Sequence, residues 1–195
     1  MREKNVSIAA ALILIISLIL IPTDAISSNT SATLNESSDF IDAWLIFTIP
    51  TPGKNGYLTL FLVKREGSVL RMVLGGQWEA RSGDNYPANE SIKDVGPIPH
   101  GIWWVWQRGA KSDHPNWYYL EPDPTTNTYG RSGFYIHPYY QEFKGCIAVI
   151  NFDNFVATLQ TYQIVQDKLN THSLQLNVYY RRGRGGGGGG PCRLK

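Results

Sequence analysis

The sequence predicts a mainly β domain, a β-sandwich or partly open barrel with one helix packed on it. Three observations carry that expectation. Apolar and polar residues alternate in short runs separated by Gly, Pro and Asn turns. Aromatic residues make up 12% of the chain, with 11 Tyr, 7 Phe and 6 Trp, and such side chains suit a pleated surface. Helical periodicity is confined to one stretch after residue 150. With 43% hydrophobic and 17% charged residues in 195, the chain can bury a sizeable core and is not of disordered composition.

Taken in order, residues 1–25 read as an export signal. Arg2 and Lys4 precede an apolar run over 6–21, and Pro22-Thr23-Asp24-Ala25 offers small residues to a signal peptidase. The run is shorter than the roughly 20 residues of a membrane span. The alternative is an uncleaved membrane anchor through residues 6–21. In both cases the remainder works outside the cytoplasm, in the extracellular space, at the cell surface or in the periplasm. Residues 26–40 form a polar spacer, 41–180 the folded domain, and 181–195 a Gly/Arg-rich tail with six consecutive glycines that cannot pack.

Within the domain, residues 43–49 make an apolar strand ended by Pro50, and Asn55-Gly56 marks a turn. Residues 57–65 and 68–74 flank Glu66-Gly67 as a hairpin. The polar stretch 75–96 carries few strand signals, and short strands follow at 102–106, 117–120, 133–137 and 147–150. Phe152, Phe155, Val156, Leu159, Tyr162 and Leu169 recur at helical spacing behind Asn151 or Asp153 as a cap. Residues 174–180 alternate as a last half-buried strand.

Composition also excludes function classes. The net charge is +2, and five of the 18 basic residues lie beyond residue 180, so the domain itself is slightly acidic. It is not built to neutralise a nucleic-acid backbone, whereas the tail can approach an anionic wall or membrane surface. Two cysteines, Cys146 and Cys192, exclude a disulfide-dense scaffold and a four-cysteine zinc site. A Cys146–Cys192 disulfide is an alternative in an oxidising compartment. The spacings of His100, His114 and His172 to His137 and Cys146 match no metal motif, so neither metal nor cofactor is expected. The protein is expected to be a monomer.

The densest chemical signal is Gly130-Arg131-Ser132-Gly133-Phe134-Tyr135-Ile136-His137 followed, eight residues on, by Gly145-Cys146-Ile147. A strand delivers His137 to its end, a loop carries the chain round, and Cys146 opens the next strand. This spacing can bring an imidazole beside a thiol, with His137 as proton acceptor for a Cys146 nucleophile. Gly145 permits close backbone approach to a substrate, and the Cys146 amide can face a developing oxyanion. The bland alternative is a packing cysteine and a structural histidine.

Together with Gly96-Pro97-Ile98-Pro99-His100-Gly101-Ile102-Trp103, these segments resemble the L,D-transpeptidase superfamily, most closely the branch of L,D-transpeptidase/carboxypeptidase effector-type domains. The resemblance spans roughly residues 57–180. It implies a β-rich fold and an exported, cofactor-free cysteine enzyme acting on peptidoglycan stem peptides. Cys146 would form the acyl-enzyme, with His137 as base, and either hydrolysis or cross-linking would follow. Four positions depart from the family pattern: Pro138, Phe143, Lys144 and Ala148 stand where glycine, serine or threonine, histidine and arginine are usual. Arg131 is expected to replace the arginine missing at 148 by gripping a substrate carboxylate. Six extended residues separate it from His137, about 20 Å, so it reaches a remote carboxylate unless the chain bends at Gly133. A second expectation, from another class, is a non-catalytic surface module of the same fold that binds glycan or peptide through its tryptophans.

Overall fold

The computed structural model describes residues 40–110, 114–139 and 144–180. The expected signal at 1–25, nearly all of the spacer and the tail with Cys192 lie outside them. The described residues all fall within the compact unit Leu34–Lys195.

Eight strands close into a barrel: β1 (Phe40–Ile49), β2 (Gly56–Glu66), β3 (Val69–Ser82), β4 (Gly101–Val105), β5 (Tyr118–Pro122), β6 (Phe134–Pro138), β7 (Ile147–Val149) and β8 (Leu174–Tyr180). Their order around the barrel is β1-β2-β3-β7-β6-β5-β4-β8, and a parallel β8–β1 pairing completes the circle. The expected partly open barrel is thus a closed one, which leaves no unpaired edge. The alternating pattern points Leu45, Phe47, Leu58, Leu60, Trp103, Ile136, Ile147 and Leu176 inward, where all are fully buried.

Two elements differ from the sequence expectation. The strand expected over 68–74 runs on to Ser82. Leu60 pairs with Gly76 and Phe61 with Leu74, so Gly75 is an extra residue bulged out of the ladder. The glycine pair that reads as a loop in sequence is therefore a bend within a strand.

The single expected helix is two, α1 (Phe152–Thr161) and α2 (Gln163–Asn170), separated by an extended Tyr162 with φ −103° and ψ 116°. The physical reason lies in the phase. From Leu159 to Val165 is six residues, which at 100° each turns the buried face about a third of a turn away. Breaking at Tyr162 returns Val165 and Leu169 to the core. Of the two expected caps, Asn151 holds the N-cap position, in a left-handed conformation and with no side-chain capping bond.

α1 packs on β3. Phe155 is fully buried, with edge contacts to Trp78 at 5.0 Å and Tyr118 at 5.7 Å between ring centroids. The Trp78 indole N–H also donates to Asn154 Oδ1 at 2.8 Å. Phe155→Ala is expected to cost about 3–5 kcal/mol through lost burial and an unfilled cavity. Chemical denaturation followed by intrinsic fluorescence measures it.

Candidate functional site

β6 and β7 lie side by side and parallel, with Ile136 opposite Ile147 and His137 opposite Ala148. Parallel neighbours ordinarily need a crossover of a dozen or more residues. Here Ile147, the first residue of β7, is level with Ile136, so from Pro138 the chain retraces only two residues, roughly 7 Å, to begin β7. That small offset is what allows histidine and cysteine to sit nine residues apart in sequence. Residues 140–143 of the connection, including Phe143, lie outside the described residues.

Ile136, Ile147 and Val149 face the core, so Tyr135, His137, Cys146 and Ala148 share the outward face. From the register, the Cα atoms of His137 and Cys146 are about 8 Å apart, one strand across and two residues along. The structure thus brings the two predicted chemical residues onto one face of adjacent strands.

His137 is buried, with 1% of its surface exposed. Its Nδ1 lies 2.8 Å from the carbonyl oxygen of Pro138. A carbonyl only accepts, so Nδ1 carries the proton and donates it there, and in the neutral imidazole Nε2 is the unprotonated nitrogen. The proline that stands where the resembled family has glycine still supplies this carbonyl. Burial is the main cause holding the imidazole pKa below the usual value; the Pro138 carbonyl raises it, and nearby His114 lowers it further. His137 is therefore a neutral imidazole near pH 7.

Cys146 carries a free thiol and is half-buried. The thiol lies 3.7 Å from the Gly133 carbonyl, towards which it donates. Loss of hydration on burial pushes its pKa up to about 11, against smaller opposing contributions from a Tyr135 backbone hydrogen bond and the Arg131 charge. The two groups thus rest as neutral thiol and neutral imidazole.

Arg131 is placed differently from the extended-strand expectation. The chain turns at Gly130 (φ 72°) and Gly133 (φ 75°), so the guanidinium folds back onto the Gly-Cys turn. It is 7% exposed and donates to three backbone carbonyls: Glu90 at 2.5 Å and Pro97 at 2.8 Å from Nη1, and Gly96 at 2.9 Å from Nη2. Its carbon lies 5.1 Å from the Phe134 ring centroid. These bonds direct the fork onto backbone carbonyls of the 90–97 loop rather than into open solvent. Gly145 follows from the same packing. A Cβ there would lie 2.0 Å from Arg131 Nη2, and φ is 98°. The room left by its missing side chain is thus taken up by the arginine.

Glu90 ties this corner to the neighbouring loops. Its carboxylate accepts from the backbone N–H of His100 at 2.9 Å and from the Tyr129 hydroxyl at 3.0 Å, and it lies 2.7 Å from His100 Nδ1. The Tyr180 hydroxyl donates to the carbonyl of Ile98. Sequence reasoning missed Glu90 and Tyr180, because nothing in their local patterns marks them.

It also missed the aromatic face around the histidine. Trp117 stacks with both His137, at 4.5 Å between ring centroids, and His114, at 4.0 Å. Tyr135 meets His114 and Trp117 edge-on, and Tyr119 and Trp106 continue the row to His172. Of the three clustered tryptophans, Trp103 is fully buried, while Trp104 and Trp106 face outward and donate to Asp123 and Glu121. A cleft of about 640 Å³ opens beside Pro138, lined among others by Arg108, Asn116, Tyr139 and Asp153.

Comparison of the chain with family models, curated proteins and solved structures gives no match.

Two outcomes are expected from this geometry. Alkylation of Cys146 by iodoacetamide should rise steadily from pH 7 to 10 without a plateau, because the thiol stays protonated until about pH 11. A stopped-time alkylation series read by mass spectrometry checks this; a plateau from pH 5 upward would instead mean a thiolate–imidazolium pair. Arg131→Met should lower stability by about 1–3 kcal/mol by stranding buried carbonyls. It should also slow alkylation at pH 8 by removing a charge that favours the thiolate; denaturant titration and the same labelling assay measure both.

Proposed function

We propose that this domain is an exported cysteine acyltransferase of L,D-transpeptidase type that cuts or exchanges a peptide bond in cell-wall stem peptides. The observation that carries the reading is the oriented base. His137 donates Nδ1–H to Pro138 and keeps Nε2 unprotonated, on the face it shares with the Cys146 thiol. The motifs of residues 96–103, 130–137 and 145–147 supply the substrate class by resemblance.

In this mechanism the thiol proton passes to His137 Nε2 as sulfur attacks the carbonyl carbon preceding a D-amino acid. The tetrahedral oxyanion is held by the Cys146 amide N–H. His137 then returns the proton to the departing amine, leaving a thioester on Cys146. Water, deprotonated by His137, releases the acid and restores the thiol; an amine in its place forms a new peptide bond. Because the resting thiol titrates near 11, proton transfer is tied to attack on bound substrate rather than standing ready beforehand. Arg131 supports the nucleophile turn and the 90–97 loop beside it. The export segment at 1–25 or the anchor at 6–21 puts this chemistry where wall peptides are.

The outward aromatic row of Trp106, Tyr119, Tyr135 and Trp117 favours one second reading, a non-catalytic module that stacks glycan rings.

The two part on one experiment. The full chain is incubated with a tetrapeptide stem ending in a D-amino acid, and intact mass is followed for an acyl adduct on Cys146. The expected result is loss of the terminal residue, and its exchange when a free D-amino acid is added. Cys146→Ala is expected to remove turnover at least about 10³-fold while shifting the melting temperature by only a few degrees. Glycan or peptide binding without any adduct or cleavage would overturn the enzymatic reading.

A further inference from the structure

Ser82 ends β3, and its side chain is fully buried in series with Trp78 and Ala80 on the inner face of the strand. Its hydroxyl joins two segments far away in sequence. It accepts from the backbone N–H of Ile98 at 2.8 Å and donates to the carbonyl of Gly145 at 3.0 Å. The direction is fixed, because a hydroxyl has one proton and an amide nitrogen cannot accept it. The backbone of Ser82 is held in turn by Asn85, which is also fully buried. Asn85 Oδ1 accepts from Ser82 N–H at 2.7 Å, its own N–H donates to the Ser82 carbonyl at 2.9 Å, and its Nδ2 donates to Lys54 at 2.9 Å.

The Gly145 carbonyl and the Cys146 N–H belong to one peptide unit. That unit is planar and trans, so its C=O and N–H point in opposite directions. Ser82 draws the carbonyl towards the barrel interior. The Cys146 N–H is thereby turned outward, to the face that carries the Cys146 side chain and His137. Gly145 can take up this rotation because it adopts φ 98°, and Arg131 Nη2 packs where a side chain on Gly145 would lie.

We infer that Ser82 is a positioning residue that aims the Cys146 amide as oxyanion donor. This rests on the acyl-transfer reading above and adds a residue that no motif of the sequence marks. Ser82 touches neither the thiol nor the substrate; it acts through the orientation of one peptide plane. Its removal therefore affects steps that build negative charge on a carbonyl oxygen and spares steps that need only the thiolate.

Two reagents separate these steps at the same sulfur. Iodoacetamide transfers its carboxamidomethyl carbon to sulfur and releases iodide, with no oxyanion. p-Nitrophenyl acetate acylates sulfur through a tetrahedral oxyanion and releases p-nitrophenolate. Both rates are measured on the full chain and assigned to Cys146, as distinct from Cys192, by peptide mapping. In Ser82→Ala, acylation should fall about tenfold or more while alkylation stays within about twofold. Ser82→Thr, which keeps the hydroxyl, should restore the ratio. Ser82→Cys, close in volume but a weaker donor, should fall between them and serves if the alanine variant does not fold. Taking the ratio on one sample cancels any loss of folded protein. An unchanged ratio, or equal slowing of both reactions, would overturn the positioning role and leave Ser82 a packing residue. A wild-type chain that alkylates normally but is never acylated would instead overturn the acyl-transfer reading, and this inference with it.

Discussion

The guanidinium of Arg131 is the contact on which the corner of the barrel around Cys146 depends. A segment rich in proline and glycine, residues 96–101, presents carbonyls that no strand can satisfy, since its prolines have no N–H to join a ladder. One buried cation accepts that task, donating to Glu90, Gly96 and Pro97 together. Burying a charge without partners is costly, and these bonds together with the Phe134 ring provide the compensation. The consequence at Gly145 is steric. A residue with any side chain would collide with the fork, so the Gly145-Cys146 turn and the cation imply one another.

The electrostatics of the site follow from burial more than from charge. His137 loses hydration beneath Trp117 and stays neutral; Cys146 loses hydration and stays a thiol. Neither group carries a net charge at rest, because desolvation outweighs the opposing Arg131 charge at the thiol. His114, which also stacks on Trp117, adds to this by disfavouring a charge on His137. Burial thus disfavours a standing thiolate–imidazolium pair at rest.

Closure of the barrel gives the site its rigidity. β7 is only three residues long, yet it is clamped between β3 and β6, and the side chain that ends β3 reaches the carbonyl immediately ahead of Cys146. The two helices pack behind β3 and β1 through Phe155, Val165 and Leu169, so β3, which pairs with β7, is itself backed by packed helix.

The sequence by itself determined what local chemistry and periodicity determine. Alternation placed β2 and β4 to β8 within a residue or two, and β1 to within three, because side-chain period and turn residues are local properties. It singled out His137, Gly145 and Cys146, because a strand, a short loop and a Gly-Cys turn are contiguous. Contacts between distant segments were decided only by the tertiary structure. Arg131 lies far from Cys146 along an extended chain and beside the Gly145-Cys146 turn in the fold, since two left-handed glycines reverse its path. Ser82, Glu90 and Trp117 are 64, 56 and 29 residues before Cys146, and no spacing rule links them to it. Hydrogen bonds and ring stacks at that separation depend on which strands become neighbours. That is a property of how eight strands close around one core, and no window of the sequence contains it.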